Sequence, residues 1–121
     1  MSHNLRLYDA NKILSFWHRV SKEMELRDKL LQAVYEVIDE FNKELIPEKR
    51  LDKSPETVLL GSGSNLDSME VFNFIIIFEA YLENAFNINI SIADEELWDH
   101  LKNISSFVEH VHSRIQKIEL L

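Results

Sequence analysis

Ser68 is the residue whose type and setting best suit covalent chemistry. Its hydroxyl stands in Leu66-Asp67-Ser68-Met69, between the small-residue run Gly61-Ser62-Gly63-Ser64-Asn65 and a long apolar stretch. A helix starting here offers free backbone N–H groups and a positive dipole end to a phosphodiester. The glycines ahead leave room for an enzyme to approach. Taken alone, Asp or Ser at a helix start is a favoured cap worth about 0.5–2 kcal/mol. The charge around it adds to the signal. No Lys or Arg occurs between residues 54 and 101, a window holding Glu56, Asp67, Glu70, Glu79, Glu83, Asp94, Glu95, Glu96 and Asp99. The window carries −9 and the whole chain 13 − 21 = −8, so the remainder sums to +1.

Other constellations fail on spacing. His110 and His112 are two apart on an expected helix and point to different sides, so they cannot jointly grip a metal. The Gly/Ser run lacks the Lys of a nucleotide-binding P-loop. His18 beside Trp17 and His100 beside Asp99 read as surface or boundary residues. No metal site is expected.

The chain has 121 residues, 45% of them hydrophobic, which suits one globular core. With two glycines, two prolines and few alternating β-branched runs, helices should dominate, giving an all-α fold. The acidic balance argues against nucleic acid, whose phosphates need clustered Lys and Arg. The apolar run Phe74 to Phe78 is too short to span a membrane, and no signal pattern opens the chain. The absence of cysteine fits a reducing compartment, and a cytoplasmic protein is expected.

The elements that must position Ser68 follow from apolar spacing. After a loose lead-in over residues 1–8, Ile13, Phe16, Trp17, Val20 and Met24 form one helical stripe, expected to pack on the domain. Leu26, Leu30, Val34, Val37, Ile38, Phe41 and Leu45 form a second, ended by Pro47. One long helix or two broken near Met24 fits both. A long connection over residues 46–66 follows, with Ser54-Pro55 starting a short helical piece. Asp67 or Ser68 caps the next helix, which runs to about Asn84 or Ala85 and is ended by Asn87-Ile88-Asn89-Ile90. A short helix near Asp94 to Leu101 precedes a last one from Ser105 or Ser106, with the capping-box pair Ser106 and Glu109. Its inward stripe is Phe107, Val108, Val111, Ile115 and Ile118.

The helix after Ser68 has two faces. Val71, Phe74, Phe78, Tyr81 or Leu82, and Ala85 make the core side. Ser68, Phe72, Ile76, Glu79 and Glu83 line the other, a docking face if it is not simply buried.

At these residues the chain resembles the acyl carrier protein family, whose second helix begins with Asp-Ser-Leu. Here the motif is Asp67-Ser68-Met69, with a methionine of similar volume. The resemblance runs over about residues 26–118. It includes Ala85-Phe86-Asn87-Ile88-Asn89-Ile90, where the family often has Glu-Phe-Gly-Ile-Glu-Ile, and Ile104-Ser105-Ser106-Phe107 before Val111, which looks like its Ile-Thr-Thr-Val. It implies a four-helix bundle of acyl-carrier type over residues 26–121, with residues 1–25 as an N-terminal helical extension. It also implies that Ser68 receives 4'-phosphopantetheine from coenzyme A through a phosphopantetheinyl transferase. The thiol of that arm holds an acyl group as a thioester.

Asp67, Met69, Glu70, Phe72, Ile76, Glu79 and Glu83 are the residues expected to meet partners. Those partners are the transferase and an acyl ligase, synthase or acyltransferase with a basic docking surface. The chain departs from the family in a helix about one turn longer between Ser68 and Phe86, and in Asn73 and Ala80 where fatty-acid carriers are often acidic. A specialised pathway is therefore as open as fatty-acid synthesis. An aminoacyl or peptidyl carrier, and an unmodified helical adaptor binding a partner helix through Phe72 and Ile76, stay open too. A monomer is expected.

Overall fold

The computed structural model describes the backbone of residues 2–120 and the side chains of residues 14–118. Among these residues every regular element is helical: α1 Ser2–Asn42, α2 Ser68–Phe86 and α3 Ile104–Leu120 are joined by connections holding 3₁₀ segments at Pro47–Lys49 and Glu95–His100. None of the described helices is long and apolar enough to cross a membrane. The segment expected as a further helix near Asp94 is the second 3₁₀ segment, started by the Asp94 carboxylate accepting the Leu97 N–H.

The two N-terminal stripes lie on one continuous helix, since no Gly or Pro interrupts its hydrogen-bond ladder. Its backbone is helical from Ser2, where a loose lead-in was expected. The second stripe packs as its spacing predicts: Leu30, Val34, Val37, Ile38 and Phe41 are buried, and Ala33 joins them. The first does not. Phe16, Trp17 and Met24 are exposed, Val20 is half-buried, and Ile13 lies outside the described side chains.

α3 runs antiparallel to α1, with Arg27 Nε 2.7 Å from Glu109 Oε1 and Gln116 Nε2 3.2 Å from Glu23 Oε1. Between them and α2 sits an aromatic cluster. Phe74 lies 5.6 Å from Phe41 and 5.9 Å from Phe107, and Phe78 packs edge-on to Phe107 at 5.0 Å. Val71, Ile75 and Leu82 complete the inner side of α2, with Val108, Val111 and Ile115 opposite. Ala85 and Ile118, expected in the core, are exposed because each comes after the last buried residue of its helix, Leu82 and Ile115.

Two start signals resolve differently. Glu109 pairs with Arg27 and leaves the cap of α3 to Asn103, whose Oδ1 accepts the Ser106 N–H at 2.8 Å. The stretch after Ser54-Pro55 turns without forming a helix, because its carbonyls are engaged elsewhere: Pro55 O and Thr57 O accept the N–H groups of Ser105 and Ile104 at 2.9 and 3.0 Å. The connection thereby satisfies the exposed start of α3.

His110 and His112 are both buried, at 7% and 2% exposure, and neither Nε2 has a hydrogen-bond partner among the described residues. The His110 ring stacks on His100 at 4.6 Å. Burial, followed by the charges of His100 and Arg114, lowers the His110 pKa from the ordinary imidazole value, while Asp94 and Glu96 oppose the shift. The folded protein therefore takes up this proton less readily than the unfolded chain. Its contribution to stability is complete above the unfolded value of about 6.5 and is lost as pH falls through the lower folded value. The thermal midpoint should thus fall on acidification below about pH 6.5, and His110→Leu should flatten part of that fall. Identical pH slopes for the two proteins in scanning calorimetry would contradict this.

Candidate functional site

The loop before α2 is built to a definite shape. Gly61 and Gly63 take φ of +104° and +95°, the left-handed region where a Cβ is strained. The Ser64 N–H closes a turn on Gly61 O at 3.0 Å. Ser64 Oγ donates to Leu59 O at 2.8 Å and accepts the Leu66 N–H at 3.2 Å, and Asn65 Nδ2 donates to Glu48 O at 2.7 Å. Leu66 is buried, so the chain is anchored immediately ahead of the candidate residue.

Asp67 is the cap of α2. Its Oδ1 accepts the Glu70 N–H at 2.8 Å, and Glu70 Oε1 accepts the Asp67 N–H at 3.0 Å, a reciprocal capping box. Ser68 is the first helical residue, exposed, with its hydroxyl outside the box. The choice between Asp67 and Ser68 as cap thus falls on the carboxylate, which accepts from a backbone N–H more strongly than a hydroxyl does.

Lys49 Nζ reaches Glu70 Oε1 and Oε2 at 2.8 and 3.0 Å. That hydrogen bond, with the Asp67 N–H, holds the Glu70 carboxyl below its ordinary pKa, and the same contact raises that of Lys49. Glu70 is therefore engaged inside the molecule. So is Glu79: half-buried, its Oε2 accepts the Ile92 N–H at 2.7 Å and fastens the chain after α2 onto that helix. Asp67 and Glu83 are exposed.

Beside Ser68 the outer face of α2 exposes Met69, Phe72 and Ile76 at 67%, 38% and 45%. Ile77, which the helical projection overlooked, is exposed at 39% about 100° round the helix from Ile76. α2 stops at Asn87, which adopts the left-handed conformation (φ 56°, ψ 34°), with the N–H groups of Asn87 and Ile88 returning to Glu83 O and Leu82 O.

The acidic window is partly neutralised by cations outside it. Arg114 Nη1 lies 2.6 Å from Asp94 Oδ2 and 3.7 Å from Glu96 Oε2, and Lys49 holds Glu70. Counting charge along the chain overlooks both cations, since they are distant in sequence and adjacent in space. Among the described residues no group of three or more His, Asp or Glu side chains gathers to hold a metal ion.

Comparison with known proteins adds no relative: no family model, curated protein or solved structure matches the chain.

The division of roles at the start of α2 has a measurable consequence. Asp67→Ala should cost about 0.5–2 kcal/mol through loss of the cap, whereas Ser68→Ala, exposed and outside the box, should stay within about 0.5 kcal/mol. Denaturant unfolding of both variants tests this, and a larger loss for Ser68→Ala would reverse the assignment.

Proposed function

We propose that this chain is an acyl carrier protein, with 4'-phosphopantetheine attached to Ser68. The observation that carries the reading is the exposed Ser68 hydroxyl, placed at the first turn of α2 and left outside the Asp67–Glu70 capping box. It is joined by the motif order described above. The reading takes α1 after residue 25, α2, the Glu95–His100 segment and α3 as the four helices of a carrier, and the longest connection, between α1 and α2, supports it.

Loading proceeds on a transferase that binds coenzyme A and a divalent metal. Ser68 Oγ attacks the β-phosphorus, the new Oγ–P bond forms as the bond to 3',5'-ADP breaks, and the serine proton leaves to the transferase's base. The helix N-terminus then faces a phosphodiester, a favourable pairing of dipole and charge. The carrier itself performs no further bond chemistry. The terminal thiol holds the acyl group as a thioester while an acyl ligase, synthase or acyltransferase docks.

Met69, Phe72 and Ile76 supply the apolar part of that docking surface, and Asp67 and Glu83 supply exposed carboxylates for a basic partner. Glu70 and Glu79, half-buried and held by Lys49 and the Ile92 N–H, border that surface. Such a protein works where coenzyme A and its partner enzymes are, and a cytoplasmic fatty-acid-like or specialised pathway suits it. An aminoacyl or peptidyl cargo would use the same Ser68 chemistry and differ only in the ligase that docks.

Incubation with a broad-specificity phosphopantetheinyl transferase, coenzyme A and magnesium should add one phosphopantetheine to the intact mass. Ser68→Ala should abolish the gain with the fold retained. No gain in the parent protein sinks the carrier reading in favour of the unmodified adaptor, in which the Phe72 and Ile76 row binds a partner helix. Gain in the variant moves the site elsewhere.

A further inference from the structure

α1 outruns the rest of the protein. α3 lies antiparallel to it and has reached the level of Glu23 by Gln116, ending at Leu120, about a turn later. Residues 14–19 of α1 are all exposed. The stretch from Ser2 to Glu25 is about 36 Å long at ~1.5 Å per residue.

The stripe on this arm continues the stripe that packs inside the body. Ile13, Trp17, Val20, Met24, Arg27, Leu31, Val34, Ile38 and Phe41 follow at alternating steps of four and three residues. This is the 3.5-residue repeat that keeps one seam turned towards a partner helix. In the body the seam is covered, with Val34 and Ile38 fully buried and Arg27 bonded to Glu109. On the arm it opens: Trp17 and Met24 are 58% and 59% exposed on either side of the half-buried Val20, and Leu14 and Phe16 widen the surface at 67% and 50%. These side chains expose on the order of several hundred Å² of apolar surface, the size that marks an association site.

The repeat fits a second copy of the same arm. The steps from 13 to 17, 20 and 24 are four, three and four, which read the same in either direction. A second copy running antiparallel, with a twofold axis between residues 18 and 19, sets Ile13 against Met24 and Trp17 against Val20, and symmetry repeats both pairs. Two arms of this length approach the ~800 Å² per partner of a standard specific interface.

Charge favours the antiparallel sense, because it carries the two acidic bodies to opposite ends of the pair, where a parallel pairing would set them side by side. Charge also argues against a lipid surface. Over residues 2–25 the cations Arg6, Lys12, Arg19 and Lys22 and the acids Asp9, Glu23 and Glu25 give a balance of 4 − 3 = +1, far short of a polybasic patch for anionic headgroups.

We propose that the protein forms a twofold dimer through antiparallel pairing of its α1 arms along Ile13, Trp17, Val20 and Met24. This replaces the expected monomer and is independent of the carrier reading.

In analytical ultracentrifugation over a wide concentration range, the mass should rise from 14.3 kDa towards twice that value. Trp17→Glu should hold it at the monomer mass with unchanged thermal unfolding of the body, while Trp98→Glu, at an exposed position elsewhere, should still dimerise. The chain has no cysteine, so Ile13→Cys and Met24→Cys variants each carry a single thiol. Oxidising their mixture should give the mixed disulfide over either homodimer. A parent protein that stays monomeric throughout overturns the proposal, as does a Trp17→Glu variant that still pairs. Preferential Met24→Cys homodimers overturn the antiparallel sense. Monomers that sediment with phosphatidylserine vesicles reassign the stripe to a lipid surface and overturn the dimer.

Discussion

The constraint on which the structure depends is the apolarity of α2. Val71, Phe74, Ile75, Phe78 and Leu82 are all at 0% exposure and form one stripe spanning about 100° of the helix circumference. Burying side chains of this size stabilises the fold by roughly 1.5–3 kcal/mol each, so a short chain must close over this whole stripe. α1 and α3 supply two walls, and Leu59, Leu66, Ile92 and Leu97 from the connections supply the rest. The cover then runs out. Met69, Phe72 and Ile76 stay exposed because no further described element packs over that side.

The long connection between α1 and α2 does two tasks. Loops of this length are usually functional or disordered, yet this one is fastened throughout. Asn42 exchanges two hydrogen bonds with the Leu51 backbone at 2.8 and 2.9 Å, and Arg50 Nε caps the C-terminal end of α1 through Asn42 O and Leu45 O. Pro55 and Thr57 carbonyls serve the start of α3. A backbone group with a partner in another element is not free for a local helix. The segment that delivers Ser68 to its place is thus a structural strut as well as a link.

Helical periodicity was the legible part of the sequence. The stripe from Leu30 to Phe41, the core side of α2 and the run from Phe107 to Ile115 all pack as their spacing indicates, since each depends on a local repeat. Helix ends were less legible. Ser54-Pro55 and Ser106 carry good start signals, but distant carbonyls and Asn103 outcompete them. The least legible quantity was charge. The acidic window looks uniform along the chain, yet Lys49 and Arg114 enter it from outside, and Glu79 serves a backbone N–H. Periodicity also located the Trp17 stripe without revealing that Trp17 and Met24 are left exposed among the described residues, because amphipathicity gives a face and no partner.

The neighbouring residues Asp67 and Ser68 show why position within a cap matters. A serine acting as the cap would have its oxygen engaged by a backbone N–H, and derivatising it would weaken the helix start by about the 0.5–2 kcal/mol of a lost cap. Here that bond belongs to Asp67, closed by Glu70 and backed by Lys49, so a group added at Ser68 would leave the helix start intact. An anionic group at this point also meets less repulsion than the sequence suggests. Glu70, the acid two residues on, is already paired with Lys49, while the free N–H groups of the first turn favour negative charge. The arrangement that stabilises the start of α2 is therefore the same one that leaves a neutral hydroxyl exposed beside it, and neither role requires changing the other.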